Sequence, residues 1–247
     1  MIFKEYGDRD KPIIIFIHGG GLSDWMWKEQ VAFFQKDYHT VTPVLDGHGE
    51  EAEVLYQSIS KSAGQVVEYI HEYCGGKVFA LCGLSVGAQI TVEILSLCKN
   101  ITQKAVIESA LVFPIKSVER MVKPSVDLSW FLVKKRWFAK LQAKQLYLPD
   151  SMFENYFRDS VKMKKESMIY LMQDNQSYTI PANLKQTMAE SLVLCGEKEY
   201  SSMKKSAVLL NQTIPNSRLE IIPHCGHGVS IQRTKEYCNL LQEFFQS

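Results

Sequence analysis

In residues 77–90, KVFALCGLSVGAQI, an apolar run leads into a serine flanked by two glycines. Residues 77–82 predict a buried strand and residues 85–98 predict a helix, so Ser85 falls in the turn between them. Glycines two positions to either side leave room for a tight, strained turn. Such a turn would present the serine as a nucleophile. The alternative is an ordinary hydroxyl in a loop of small residues.

Short apolar runs rich in β-branched residues recur along the chain, each closed by glycine, proline or serine. They lie at residues 13–17, 39–44, 78–82, 105–107, 192–195 and 219–222. Helical patterns separate them, most clearly at residues 59–74, where apolar residues follow the helical period before Gly75 ends the segment. Alternating strands and helices predict parallel strands joined by right-handed crossovers. The expected fold class is therefore α/β, with a doubly wound, mostly parallel sheet.

Residues 114–182 interrupt this alternation. They are rich in aromatic residues and contain no convincing strand pattern. We therefore predict that they form several short helices inserted between two strands. Residues 1–113 and 183–247 are then expected to form the α/β core.

The charges of the chain nearly cancel, with 28 Lys and Arg against 27 Asp and Glu among 247 residues. This balance favours neither nucleic acid nor an anionic membrane as a partner, so we expect a small-molecule site. The N-terminal MIFKEYGDRD carries charges where a signal peptide would be apolar. No later run reaches the roughly 18 apolar residues of a membrane-spanning helix. We therefore expect a cytoplasmic protein without membrane insertion, whose six scattered cysteines are reduced.

A serine hydroxyl needs a base to take its proton, and the chain offers six histidines. Reactive groups in an open parallel sheet collect beyond the carboxyl ends of the strands, which selects the loop after residues 219–222. In that loop, PHCGHG, His227 lies between two glycines and is the candidate base. His224 is the alternative base. Its non-catalytic interpretation is a partly exposed loop histidine.

A carboxylate must orient the base, and a cradle of N–H groups must hold negative charge on the substrate oxygen. Glu197 and Glu199 both follow the strand at residues 192–195, and either could be the acid. The glycines of FIHGGGLSDWMW follow the strand at residues 13–17, where bare backbone N–H groups can face a site. The alternative for these glycines is a tight turn without chemistry.

The order HGGG, GLSVG, GEKE and a late GH resembles the α/β-hydrolase fold superfamily, over nearly the whole chain. The resemblance is closest to the compact bacterial hydrolases with a helical cap, which are esterase- or lipase-like. It implies that residues 114–182 are a helical cap over the site. The segment DGHG at residues 46–49 also resembles a loop of that family, in which the histidine is structural.

Carried onto this sequence, the family pattern implies Ser85 as nucleophile and His227 as base. It selects Glu199 over Glu197 as the acid, with glutamate where the family usually has aspartate. The implied oxyanion donors are the backbone N–H groups of Gly20 and Val86.

The expected function is that of a serine hydrolase, specifically a carboxylesterase acting on small or medium uncharged esters through an acyl-enzyme. Fold alone does not separate this activity from that of a thioesterase, lactonase, C–C bond hydrolase or acyltransferase. A non-catalytic ligand-binding protein on the same fold is the alternative of another class. The resemblance implies no metal and no organic cofactor, and the partner is a small ester-like molecule. The oligomeric state stays open.

Overall fold

A computed structural model describes residues 1–247 of the chain as one seven-stranded sheet between layers of helices. The strands are β1 (Ile2–Tyr6), β2 (Ile13–Ile17), β3 (His39–Val44), β4 (Val78–Leu84), β5 (Thr102–Glu108), β6 (Glu190–Gly196) and β7 (Ser217–Ile222). The six apolar runs of the sequence all lie within strands. None of the helices combines the length and the apolar composition needed to cross a lipid bilayer.

The strands are arranged in the order β1-β3-β2-β4-β5-β6-β7. β1 pairs antiparallel with β3, and every other neighbouring pair is parallel. The predicted α/β class with a doubly wound, mostly parallel sheet is thus confirmed. The chain moves outward in one direction from β2 to β3 and in the other from β4 to β7. The carboxyl ends of β2 and β4 therefore flank the point where the winding reverses, which is where open α/β sheets form their sites.

Ten α-helices connect and cover the strands. They are α1 (Lys28–Phe34), α2 (Ile59–Tyr73), α3 (Val86–Leu97), α4 (Lys116–Ser129), α5 (Arg136–Gln145), α6 (Phe153–Lys162), α7 (Lys165–Ser177), α8 (Ser201–Thr213), α9 (Val229–Gln232) and α10 (Thr234–Gln246). Helices α1 and α10 pack on one face of the sheet, and α2 and α3 pack on the other.

Strand β2 shows why the sheet is buried on both faces. Ile14 and Phe16 point into the core beneath α1 and α10, whereas Ile15 and Ile17 point into the core beneath α2 and α3. All four side chains are fully buried. Burying one such side chain contributes about 1.5–3 kcal/mol to folding. A strand that is apolar at every position therefore belongs in the middle of a parallel sheet covered by helices on both faces.

Between β5 and β6 the chain forms helices α4 to α7 and no strand. Hydrogen bonds join these helices to the cores on both faces of the sheet, to which Trp25 and Tyr56 belong. Trp25 Nε1 donates to Asp159 Oδ2 at 2.7 Å, and the Tyr56 hydroxyl donates to Asp174 Oδ2 at 3.0 Å. These contacts place the inserted helices close to the carboxyl edge of the sheet, because Trp25 and Tyr56 lie in connections that leave that edge.

Candidate active site

Ser85 lies in a strained turn between β4 and α3. Its backbone has φ of 57° and ψ of −117°, a positive φ that residues other than glycine rarely adopt. Two glycines make the turn sterically feasible. An added Cβ on Gly83 would lie 2.2 Å from the carbonyl oxygen of Gly87, and one on Gly87 would lie 2.2 Å from that of Ile17. Only glycine lets strand, turn and helix approach this closely, so the flanking glycines are structural requirements of the serine turn.

The predicted base and acid are brought into contact, although 28 positions separate them. His227 follows β7 and Glu199 follows β6, and the imidazole Nδ1 donates to Glu199 Oε2 at 2.9 Å. The side chain of Glu199 is 1% exposed, whereas that of His227 is 26% exposed. Since Nδ1 carries the proton shared with the carboxylate, Nε2 is the nitrogen left to accept a proton.

Glu199 is held as a carboxylate by three donors. Burial alone would raise the pKa of Glu199, but hydrogen bonds from His227, from the Ser109 hydroxyl and from the Gly196 N–H hold that pKa below its ordinary value. The Ser109 hydroxyl donates to Oε1 at 2.7 Å and the Gly196 N–H donates to the same oxygen at 2.9 Å. One oxygen therefore anchors the carboxylate to the sheet edge and the other orients the imidazole.

The side chains of Gln232 and Tyr147 hold the loop that carries His227. Gln232 Nε2 donates to the carbonyl oxygen of His227 at 2.8 Å, and Gln232 Oε1 accepts from the Gly226 N–H at 3.3 Å. The ring of Tyr147 packs against Gly226, where an added Cβ would lie 2.4 Å from a ring carbon. Gly228 has φ of 85°, so it supplies a left-handed turn. The loop is thereby shaped by glycines on both sides of the histidine.

The two predicted N–H donors are neighbours next to the serine turn. A Cβ built on Gly20 would lie 3.1 Å from Cγ2 of Val86, and one built on Gly19 would lie 3.6 Å from Cβ of Ser85. Val86 is the first residue of α3, where an N–H has no acceptor within the helix. A Cβ on Gly20 would also lie 3.1 Å from Cδ2 of Leu171, which belongs to α7. An inserted helix therefore covers the glycine loop directly.

Sheet pairing brings the serine turn and the histidine loop to one edge. A Cβ on Gly228 would lie 3.7 Å from Cδ2 of Leu84, the residue before Ser85. No hydrogen bond joins the Ser85 hydroxyl to the imidazole of His227 in this structure. Catalytic hydrogen bonds are often long before substrate binds and tighten in the complex. A carboxylate–imidazole pair beside a strained serine is an arrangement that can activate a hydroxyl for nucleophilic attack.

The alternative acid and base, Glu197 and His224, form a second pair at the surface. The His224 N–H donates to Glu197 Oε2 at 2.8 Å, and its Nδ1 lies 3.6 Å from the same oxygen. The side chain of His224 is 78% exposed and that of Glu197 is 53% exposed. A pair this exposed has no buried environment in which to stabilise developing charge.

His18 and His48, in the two glycine-rich loops before the serine turn, are buried and structural. His18 Nδ1 donates to the Gly19 carbonyl oxygen at 2.9 Å, and its Nε2 accepts from the Leu45 N–H at 3.1 Å. Burial lowers the pKa of His18 to about 3 and that of His48 to about 4. Both rings are therefore neutral at physiological pH and hold the loops together.

Sequence reasoning missed two residues that the structure places in contact with the site. Ser109 holds the Glu199 carboxylate, and it adopts a positive φ of 55°. Leu171 covers Gly20 from the inserted helices. Ser109 directly follows β5, so the rule that directed attention to the other strand ends points to it as well. Nothing local to the sequence marks Leu171, because its role depends on how α7 docks.

A cavity of about 650 Å³ lies among the inserted helices, next to the histidine loop. Its lining includes Arg136, Lys140, Lys144, Tyr147, Phe153 and Gln232. Neither Ser85 nor His227 lines it, so this cavity is not the place where the serine would react. Two of its lining residues, Tyr147 and Gln232, contact the loop that carries His227.

Comparisons with known proteins identify the family and the fold of the chain. The sequence profile of the alpha/beta hydrolase family matches residues 14–240. Monoacylglycerol lipase ABHD6 of Bos taurus is 24% identical over 264 residues, covering 96% of this chain and 76% of the lipase. Pimeloyl-(acyl-carrier protein) methyl ester esterase of Nitrosomonas europaea is 22% identical over 229 residues, covering 88% of this chain and 89% of the esterase. The enol-lactonase structure from Burkholderia xenovorans LB400 shares the fold with a TM-score of 0.80 at 18% identity, covering 100% of this chain and 96% of the lactonase. Because the family profile spans nearly the whole chain, the protein belongs to the alpha/beta hydrolase family.

Proposed function

We propose that the protein is a serine hydrolase, specifically a carboxylesterase that cleaves esters with small or medium acyl chains. The observation that carries this proposal is the strained Ser85 at the same sheet edge as the hydrogen-bonded pair of His227 and the buried Glu199. Relatives named as a monoacylglycerol lipase and a methyl ester esterase support an ester as the substrate class. The inserted helices would act as a cap that shapes the acyl pocket.

In the first half of the proposed reaction, the Ser85 oxygen attacks the ester carbonyl carbon and its proton passes to His227 Nε2. The carbonyl oxygen becomes an oxyanion that accepts hydrogen bonds from the N–H groups of Gly20 and Val86. Glu199 stabilises the imidazolium through Nδ1 without taking the proton itself. When the tetrahedral intermediate collapses, His227 gives its proton to the departing alcohol. The acyl group is left on Ser85.

In the second half, a water molecule attacks the acyl-enzyme carbonyl carbon and gives a proton to His227. The oxyanion forms again next to the same two N–H groups. Collapse breaks the bond to the Ser85 oxygen, which recovers its proton from His227, and the carboxylic acid leaves. The net reaction is ester plus water to acid plus alcohol. The chain supplies every proton-transfer group that this sequence of steps requires.

The direct test is hydrolysis of p-nitrophenyl esters by the wild-type chain and by Ser85→Ala. We expect the variant to lose about 10⁴-fold or more in kcat, because only oxyanion binding and substrate positioning remain. Ser201→Ala, which removes an exposed hydroxyl at the start of α8, is the matched control and should behave like the wild type. A folded Ser85→Ala protein that hydrolyses the esters at the wild-type rate would disprove the proposal.

The same site can catalyse related reactions, so the substrate class must be identified by measuring activity on several kinds of compound. Values of kcat/KM for a panel of esters, thioesters, lactones and vinylogous diketones separate an esterase from a thioesterase, lactonase or C–C bond hydrolase. An added acyl acceptor in place of water detects an acyltransferase. A fold neighbour named as an enol-lactonase makes lactones the first alternative to include. Failure of the wild type to turn over any member would favour a non-catalytic ligand-binding protein.

A further inference from the structure

Glu108 is a buried carboxyl group that the proposed reaction does not use. It is the last residue of β5 and is fully buried. Its carbonyl oxygen accepts from the Ser85 N–H at 2.8 Å, and its side-chain Oε1 accepts from the Ser230 N–H at 3.0 Å. Ser230 lies three residues after His227, in the first turn of α9. A single residue therefore connects the serine turn to the segment that carries the histidine.

The rest of this carboxyl group has no partner within the protein. Glu108 Oε2 and the Ser230 hydroxyl are both buried, and neither makes a hydrogen bond. Leaving a buried polar oxygen unpaired is costly, and the cost is largest for a charged one. If the only task were to accept the Ser230 N–H, glutamine could do it without a buried charge. The carboxyl group is therefore explained better by what its charge does than by its shape.

The surroundings of Glu108 shift its pKa to near neutral pH. Burial raises the pKa of Glu108 to about 7, the hydrogen bond from the Ser230 N–H opposes this rise, the Glu199 charge adds to it and a charged His227 opposes it. Burial also raises the pKa of the remaining titratable groups that interact with Glu108, and they stay neutral. These groups are Cys82, Cys195, Cys225 and Tyr237. Glu199 and His227 are thus the groups whose charge acts on Glu108.

We propose that Glu108 is a positioning residue for His227. The carboxylate form of Glu108 holds the histidine segment and favours the imidazolium, and its protonated form does both less well. A charge-assisted hydrogen bond from the Ser230 N–H is stronger than one to a neutral carboxyl group. A negative charge near the imidazole also stabilises the cation that forms when the base takes the serine proton. This inference rests on the proposed function, because it concerns the same proton transfer.

The test is the pH dependence of kcat/KM for wild type and Glu108→Gln on one p-nitrophenyl ester. The glutamine keeps the shape and an oxygen that accepts the Ser230 N–H, but it cannot ionise. At about pH 6 the wild-type side chain is protonated, so the two proteins should have similar kcat/KM values. Above about pH 8 the wild type gains the carboxylate, and its kcat/KM should exceed that of the variant by about tenfold, equivalent to one pKa unit on the histidine.

The ratio of the two kcat/KM values distinguishes a charge effect from a packing effect. A packing defect lowers activity by the same factor at every pH, so a flat ratio across this range would overturn the inference. Glu68→Gln, which removes an exposed carboxylate from α2, is the matched control and should give a flat ratio near one. Absence of ester hydrolysis by the wild type at every pH would instead contradict the proposed function.

A second measurement does not depend on the variant's folding or on turnover. In wild-type protein labelled with ¹³C at the glutamate carboxyl carbons, we expect one signal that titrates near pH 7. If every glutamate signal finishes titrating by about pH 5.5, close to the ordinary range of glutamate, the inference is wrong.

Discussion

Replacing Glu199 by glutamine is the sharpest perturbation of the site, because its two carboxylate oxygens have separate tasks. Oε1 accepts from the Ser109 hydroxyl at 2.7 Å and from the Gly196 N–H at 2.9 Å. Oε2 accepts only from His227 Nδ1, at 2.9 Å. In Glu199→Gln the amide oxygen would keep the two donors of Oε1, and the NH₂ group would take the position of Oε2.

An amide N–H cannot accept from the protonated Nδ1 of His227, so the imidazole must change tautomer. Its proton then moves to Nε2, the nitrogen that takes the Ser85 proton in the proposed reaction. We expect kcat to fall by about 10⁴-fold, the loss typical of a wrong tautomer in a serine triad. This corresponds to about 5 kcal/mol of transition-state stabilisation. KM should change little, because Glu199 is buried behind the imidazole and does not face the substrate.

The assay is saturation kinetics on p-nitrophenyl butyrate, with circular dichroism to verify folding. Glu197→Gln is the matched control, since Glu197 is a glutamate two positions away that pairs with the exposed His224. Exposed pairs of this kind contribute about 0–1 kcal/mol, so the control should retain nearly full activity. A folded Glu199→Gln protein with more than about a tenth of the wild-type kcat would refute the role given to this carboxylate.

Three further predictions follow from contacts around the site. Ser109→Ala removes a donor from the Glu199 carboxylate, and kcat should fall by about tenfold in the same assay. An unchanged kcat would contradict the anchoring role. Gly83→Ala places a Cβ 2.2 Å from a backbone oxygen and should destabilise the fold by about 3 kcal/mol or more. In the control Gly64→Ala, in α2, nothing lies within 4 Å of the added Cβ, so the substitution should stabilise the fold by up to about 1 kcal/mol. Urea unfolding measures both changes, and equal effects would refute the steric explanation. The buried His18 and His48 stay neutral in the native state, whereas the unfolded chain protonates them as the pH falls through 6.5. The free energy of unfolding should therefore fall by about 1.6 kcal/mol for each between pH 6.5 and about pH 5. In His48→Gln the free energy of unfolding should fall less steeply with decreasing pH. An unaltered slope would show that the His48 ring does not cause the fall.

The strands and the serine turn could be predicted because their signals are local. Apolar runs closed by turn residues define each strand, and the glycines around Ser85 reflect a steric requirement within five residues of chain. The doubly wound sheet follows from their alternation with helices. Residues far apart in sequence, such as Glu199 and His227, could be proposed as partners because parallel strands bring their carboxyl ends to one edge.

The choice between neighbouring residues could not be made from local signals. Glu197 and Glu199 follow the same strand, and only tertiary packing leaves one at 53% exposure and the other at 1%. Glu108 was not recognised because a glutamate at a strand end is usually a solvated charge. Its importance depends on burial beneath α9 and on the Ser230 N–H, both of which arise from the complete fold.

Labelling with a fluorophosphonate, located by intact mass and peptide mapping, identifies the nucleophile of this protein without a substrate. Such reagents bond to a serine oxygen that a neighbouring base has activated. We expect one adduct per chain, located on Ser85, absent from Ser85→Ala and formed far more slowly in His227→Ala. A folded wild-type chain that stays unlabelled, or that carries its adduct on a different residue, would rule out Ser85 as the nucleophile.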